Sequence, residues 1–201
     1  MEEDLLPASF YQRPVIEVAR NLLGKRLVRR LGNYRISGII SETEAYDGEQ
    51  DQACHAHSGK TDRNSVMYGK AGRAYVYFTY GMHWMLNCVC GPVDYPAAVL
   101  IRALIPQEGI DYIALQREGI PQKNWCNGPA RLTRALSIKK DCNDIDLTTS
   151  SNGLFLENQL EIPEDWVIRT PRIGIQYAGE PWVSLPWRFV MKKNQLTGRR
   201  F

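Results

Sequence analysis

No stretch of this sequence reaches the roughly 18 consecutive uncharged apolar residues that a membrane-spanning helix needs. Basic residues are missing from the opening positions, where Glu2, Glu3 and Asp4 stand instead of the positive charge of a secretory signal. The expected location is therefore the cytoplasm, with no membrane partner. Cysteine is sparse and unpaired: Cys54, Cys88, Cys90, Cys126 and Cys142 form an odd set without Cys-x-x-Cys spacing, which argues against a disulfide framework or a structural zinc site. There is no Gly-x-Ser-x-Gly nucleophile elbow and no glycine-rich loop closing on Lys-Ser or Lys-Thr, so those hydrolase classes recede. Internal repeats, low-complexity linkers and breaks in composition are absent too.

What is present is ordinary globular material. Over 201 residues, 44% are apolar and 23% charged, which suits one compact domain spanning residues 1–201. A formal charge of +3 permits a polyanionic partner without requiring one.

Apolar spacing predicts a helix over 15–23, stopped by Gly24. Residues 26–30 and 34–40 read as two strands about a Gly32-Asn33 turn, the second continuing to Tyr46. Residues 47–72 have no period and read as a long ordered loop, a feature that is often functional. Aromatic, β-prone runs at 74–80 and 82–90 flank Gly81, and a further strand covers 97–103. Helices are expected over 109–117 and 129–136, and short strands near 154–156, 173–177 and 188–191. The pattern describes a mixed α/β (α+β) domain.

On a strand, Glu42, Glu44 and Tyr46 share one face, because side chains alternate. Ionised carboxylates in an apolar strand are costly to bury without partners, although a solvated strand end would also accommodate them. The aromatics Tyr75, Tyr77, Tyr80 and Trp84 fit ordinary sheet packing. A tight hairpin tipped by Tyr80-Gly81-Met82 could also present a rigid wedge, with Tyr77 free to stack on an extruded base. Cys54, His55 and His57, with Cys88 and Cys90, invite a metal reading, but without close cysteine pairs or a His-x-Glu element no metal is expected. Arg63, Lys70, Arg73, Arg131, Arg134, Lys139 and Lys140 read as solvated surface or as phosphate contacts.

Ordered blocks along nearly the whole chain carry a resemblance. They include Leu22-Leu23-Gly24, Glu42-Thr43-Glu44-Ala45-Tyr46, Asp51 to His55, Arg63-Asn64, Tyr75-Val76-Tyr77 with Tyr80-Gly81-Met82, and Asn87. They continue through Leu100-Ile101-Arg102-Ala103, Gly128-Pro129, Arg172-Ile173-Gly174 and Pro186-Trp187-Arg188-Phe189. In these the chain resembles the alkyladenine (3-methyladenine) DNA glycosylases. The resemblance implies a single domain around a curved, mainly antiparallel sheet with flanking helices and a protruding hairpin. It implies Glu44 as general base, with Arg102 orienting the water. Tyr46, His55 and Tyr77 would sandwich the flipped base, Asn87 would discriminate among purines, and Tyr80 would be the wedge. Met67, Met82 and Arg63 would make further DNA contacts. The implied partner is double-stranded DNA containing damaged purines, met by a monomer without a cofactor. His83, and Cys54 before the pocket histidine, depart from the vertebrate-like pattern and bear on substrate range.

Two other readings compete. A non-catalytic binder of damaged DNA or structured RNA could keep the aromatic hairpin, but it does not account for a glutamate at position 44 beside Tyr46, His55 and Arg102. A metal-dependent hydrolase on Cys54, His55 and His57 would need ligands that the spacing does not supply.

Overall fold

The computed structural model describes residues 4–192. Their core is a sheet of 8 strands, antiparallel at every pairing. The strands are β1 (Arg26–Leu31), β2 (Tyr34–Asp47), β3 (Ala74–Thr79), β4 (His83–Cys90), β5 (Ala97–Glu108), β6 (Leu154–Glu157), β7 (Val167–Thr170) and β8 (Arg188–Met191). They lie in the order β3-β4-β5-β2-β1-β6, with β8 pairing with β2 and β7 with β8. Around them pack a single turn α1 (Ala8–Tyr11) and the helices α2 (Val15–Asn21), α3 (Ile110–Gln116) and α4 (Pro129–Ala135). Among the described residues no helix is long and apolar enough to cross a membrane.

β2, 14 residues long, organises the sheet. One edge pairs with β5 from Ser37 to Asp47, while the other is shared: Tyr34–Ile39 face β1 and Glu42–Glu44 face β8. The β1–β2 turn is tight because Gly32 takes a φ of 54°, which costs a residue without Cβ little. α2 lies on one face of β2, burying Val15, Val18 and Ala19. The Thr43 hydroxyl fastens it there with a 2.7 Å hydrogen bond to the Ala19 carbonyl. Since Thr43 and Ala45 point toward α2, alternation sends Glu42, Glu44 and Tyr46 to the opposite face. On that face a second apolar cluster, Cys54, Ala56, Met67, Tyr68, Tyr75, Val89 and Ala98, packs beneath the 47–72 loop. Asn64 ties the loop together through bonds from Nδ2 to the His55 and Gly59 carbonyls, at 3.0 and 2.9 Å.

The structure corrects several boundaries. β5 continues beyond Ala103 to Glu108, because Pro106, which cannot donate to a ladder, is taken up at a register shift opposite Ser37 and Gly38. The short strand β7 was not anticipated from the sequence. Residues 173–177 are not a strand: the Ile173 amide is spent on a side chain, Gly174 bends the chain at a φ of 80°, and a 3₁₀ turn follows at Gln176–Ala178.

Candidate active site

The register of β2 against β5 breaks where the charges are. Ile40 pairs with Leu104, Glu42 with Ala103 and Thr43 with Ile101, so Ser41 and Arg102 are extra residues in their strands. Bulges of this kind re-aim side chains. Here Arg102 is turned onto both glutamates: its Nε donates to Glu42 Oε1 at 2.8 Å and its Nη1 to Glu44 Oε2 at 3.2 Å. Arg188 of β8 adds a 2.7 Å bond to Glu42 Oε1. Burial opposes ionisation of Glu42, but the bonds from Arg188 and Arg102 outweigh it and hold its carboxyl below the ordinary range.

Glu44 is the reverse case. Its side chain is 0% exposed, and burial raises its pKa despite the Arg102 charge and hydrogen bonds from the Ile173 amide and the Tyr46 hydroxyl. Tyr46 donates to Oε2 at 2.9 Å and Ile173 N–H to Oε1 at 2.8 Å. A carboxylate offers about four acceptor sites, so Oε1 keeps capacity for one more donor. Two carboxylates of one strand are thus pushed apart in acidity: Glu42 is held ionised by its ion pairs, and Glu44 has a raised proton affinity.

Below Tyr46 lies a fully buried ion pair. Arg172 bonds Asp51 in fork geometry through Nη1 to Oδ2 and Nη2 to Oδ1, the latter at 2.9 Å, and both side chains are 0% exposed. Nη1 also donates to the Ala45 carbonyl at 2.9 Å, while the guanidinium lies 4.8 Å from the Tyr46 ring centre and 5.0 Å from that of Trp187. Asp51 in turn accepts from the Asp47 and Ala53 amides, at 3.1 and 3.0 Å.

Beside these groups opens a cavity of about 290 Å³, walled by Tyr46, His55, Tyr75, Tyr77, Asn87 and Arg102, with Ile173 and Tyr177 at one side. Its size and aromatic lining suit a single flat ring system. His55 meets Tyr77 edge-on at 4.5 Å and shares a 3.0 Å hydrogen bond between Nδ1 and the Tyr75 hydroxyl. Burial and the Arg63 guanidinium push the His55 imidazole down to about 4, so it is neutral at neutral pH. Burial lifts the Tyr77 phenol to about 12. Asn87 is held still by a 3.0 Å bond from Nδ2 to the Tyr75 carbonyl.

At the rim stands the β3–β4 hairpin. Tyr80 is 81% exposed at a φ of 52°, a conformation unfavourable for a bulky residue, and Met82 beside it is 68% exposed. A large aromatic held outward in a strained turn is a candidate functional device.

The structure thus brings Glu44, Arg102, Tyr46, His55, Tyr77, Asn87 and Tyr80 to one place. Arg63 sits at the same mouth, 5.0 Å from the Tyr77 ring centre. Met67 does not reach the surface: packed in the second cluster and 2% exposed, it is a wall of the cavity, not an outer contact. The residues of the metal reading are dispersed. Cys88 and Cys90 lie in the main core, and the His57 ring is bonded to the Glu49 carbonyl at 2.9 Å. Among the described residues no cluster of three or more His, Cys, Asp or Glu side chains is arranged to hold a metal. Burial pushes the Cys54 thiol up to about 12, which rules out a ready thiolate.

Sequence reasoning singled out neither Asp51 nor Arg172 nor the Ile173 amide for a role. Asp51 and Arg172 meet across 121 positions, and no local spacing announces such a pair. The short strand expected over 173–177 gives the Ile173 amide no side-chain partner.

Residues 9–195 match the family described as Methylpurine-DNA glycosylase. A protein of Carboxydothermus hydrogenoformans named as a 3-methyladenine DNA glycosylase is 45% identical over 196 residues, 98% of this chain and 100% of the relative. One of Methanocella arvoryzae with the same name is 45% identical over 98% of this chain and 96% of the relative. A third, from Bacillus licheniformis, is 43% identical over 96% of each.

Proposed function

This chain belongs to the methylpurine-DNA glycosylase family, and from that premise and the cavity's geometry we propose that it flips a damaged purine nucleotide from duplex DNA and hydrolyses its N-glycosidic bond with a water activated by Glu44. It is a hydrolase of N-glycosyl bonds. The observation that carries the mechanistic reading is Glu44 itself, a completely buried carboxylate with raised proton affinity beside an aromatic cavity. Structural needs alone do not account for it, since burying a carboxylate costs free energy even when it is paired with Arg102, and a neutral residue there would avoid the cost.

In this mechanism the extruded base enters between Tyr46 and Tyr77 with His55 at its edge. Aromatic faces grip any purine without requiring one hydrogen-bond pattern, and a base made cationic by alkylation gains cation–π attraction. Such a base is already a good leaving group. The C1′–N bond breaks with its electron pair going to the base, which becomes neutral, while the water oxygen bonds to C1′ and its proton passes to Glu44. The Glu44 carboxylate also offsets positive charge developing on the sugar. Arg102, anchored by Glu42, keeps Glu44 oriented. 3-Methyladenine and 7-methylguanine are the proposed principal substrates. Hypoxanthine and ethenoadenine, which are uncharged, additionally need a proton on the leaving base. Tyr80, projecting beside the mouth, fills the gap left in the stack.

The deciding experiment compares the protein with Glu44→Gln on a duplex carrying one ethenoadenine or hypoxanthine and on methylated DNA, scoring alkali-sensitive breaks and binding in parallel. Cleavage by the native protein alone, with binding kept by both, supports the assignment. Tight binding with no cleavage by the native protein would transfer it to a damage-binding protein.

A further inference from the structure

We propose that Arg172 is a positioning residue for the glycosylase reaction: clamped by Asp51, it holds the Ile173 amide against Glu44 and so sets the pH range in which that carboxylate is a base. The proposal rests on the reading of Glu44 as the base.

The geometry has three parts. The Arg172–Asp51 pair is bidentate with both side chains 0% exposed, so its orientation is not averaged by solvent. Arg172 is also fixed to the Ala45 carbonyl, on the strand that carries Glu44, and its guanidinium lies within 5.0 Å of the ring centres of both Tyr46 and Trp187. The next residue in the chain, Ile173, donates its amide to Glu44 Oε1 at 2.8 Å. No regular strand holds residues 171–174 in place, so it is the clamp of the preceding side chain that aims this amide. Asp51 extends the clamp into the loop bearing His55, since it caps the Asp47 and Ala53 amides.

The groups facing Glu44 are few and each has a separate source. Glu42 and Tyr46 come from its own strand, Arg102 from β5, the Ile173 amide from the 171–174 segment, and Tyr77 from β3 across the cavity. Arg188 of β8 pairs opposite Glu44 in register but spends its guanidinium on Glu42. The Arg172 charge is neutralised by Asp51, whereas the Ile173 amide bonds Glu44 directly and favours its ionised form. Arg172 therefore acts on the base through the backbone it holds. A hydrogen bond to an ionised carboxylate favours the charged form, so a misaimed amide raises the proton affinity of Glu44 further. The ionised base is then lost at a higher pH.

The test measures single-turnover cleavage of an ethenoadenine duplex from pH 5 to 9 for the native protein, Arg172→Lys, Asp51→Asn and Ile173→Pro, the last lacking the amide hydrogen altogether. Thermal midpoints and affinity for the same duplex are measured alongside. Arg172→Lys and Ile173→Pro, which keep the charge of the site unchanged, are expected to shift the acid limb upward by about one pH unit, giving about tenfold slower cleavage on the limb and converging on the native rate at high pH, whereas Asp51→Asn leaves the Arg172 charge uncompensated and reports the cost of breaking the pair through its thermal midpoint. Should the lysine variant fail to fold, Ile173→Pro keeps the test, because it leaves the buried Arg172–Asp51 pair intact. A limb that stays at its native position in a folded Arg172→Lys or Ile173→Pro protein, with only the thermal midpoint lowered, overturns the proposal and leaves a structural ion pair. Cleavage retained by Glu44→Gln, measured in parallel, would instead remove the base on which the proposal rests.

Discussion

The amide of Ile173 donates a 2.8 Å hydrogen bond to Oε1 of Glu44, joining residues 129 positions apart. That contact is the third on a carboxylate already bonded by Arg102 and Tyr46, and leaves one acceptor position on Oε1.

Because burial raises the Glu44 pKa and only the ionised form accepts a proton from water, cleavage should fall as the pH drops through that raised value. The acid limb of the single-turnover rate is expected above the range of a free glutamate, about 4.3. Glu42, held ionised by Arg188 and Arg102, should not contribute a second inflection there. A rate flat down to pH 4 would falsify the assignment of Glu44 as base.

Glu44→Gln should reduce cleavage by about 10²–10⁴-fold, the usual contribution of a positioned base, while affinity for lesion DNA changes little. The amide keeps the volume of the carboxylate but cannot take the proton. Parallel gel-shift and cleavage assays separate the two effects.

Tyr80→Gly should separate stability from DNA recognition. The side chain is 81% exposed and its φ of 52° suits glycine, so the thermal midpoint should hold or rise. Loss of a stacking group is worth about 1–3 kcal/mol, so affinity for a lesion duplex should drop by at least about fivefold. An unchanged affinity would show that the hairpin tip does not enter the stack.

Asp51→Ala should destabilise the fold by about 3–5 kcal/mol in urea titration, because it strands the Arg172 charge in the interior. The exposed Glu164 provides the contrast. It pairs with Arg20 and Arg169 at the surface, and Glu164→Gln should cost no more than about 1 kcal/mol. Equal losses at the two sites would contradict the burial argument.

Chelator should leave cleavage intact, since the water in this mechanism is activated by Glu44. Inactivation by chelator, restored by added zinc, would return attention to Cys54, His55 and His57.

Much of the sheet was legible in the sequence. The Gly32-Asn33 turn, the alternation through β2 and the aromatic runs about Gly81 are local signals, readable because strand periodicity and turn chemistry act over a few residues. β5 was cut short because a proline argues against a strand unless a bulge absorbs it, and the bulge depends on Ser37 and Gly38 of another strand. The irregular 173–177 segment was misread for a similar reason: its apolar alternation resembles a strand, but its amide found a side chain and no neighbouring ladder.

The candidate site divides the same way. By itself the sequence determined the residue types and their blocks: Glu42, Glu44 and Tyr46 on one face, Tyr77 and Tyr80 flanking a turn, and enough ordered matches to mark the family. Tertiary structure alone decided that Arg102 would be turned by a bulge onto two glutamates, that Met67 would line a wall, and that Asp51 and Arg172 would meet beside the strand carrying Glu44. Side-chain alternation is set by backbone geometry within one strand, whereas proton affinity and orientation are set by burial and by partners. Those partners come from segments that only folding brings together.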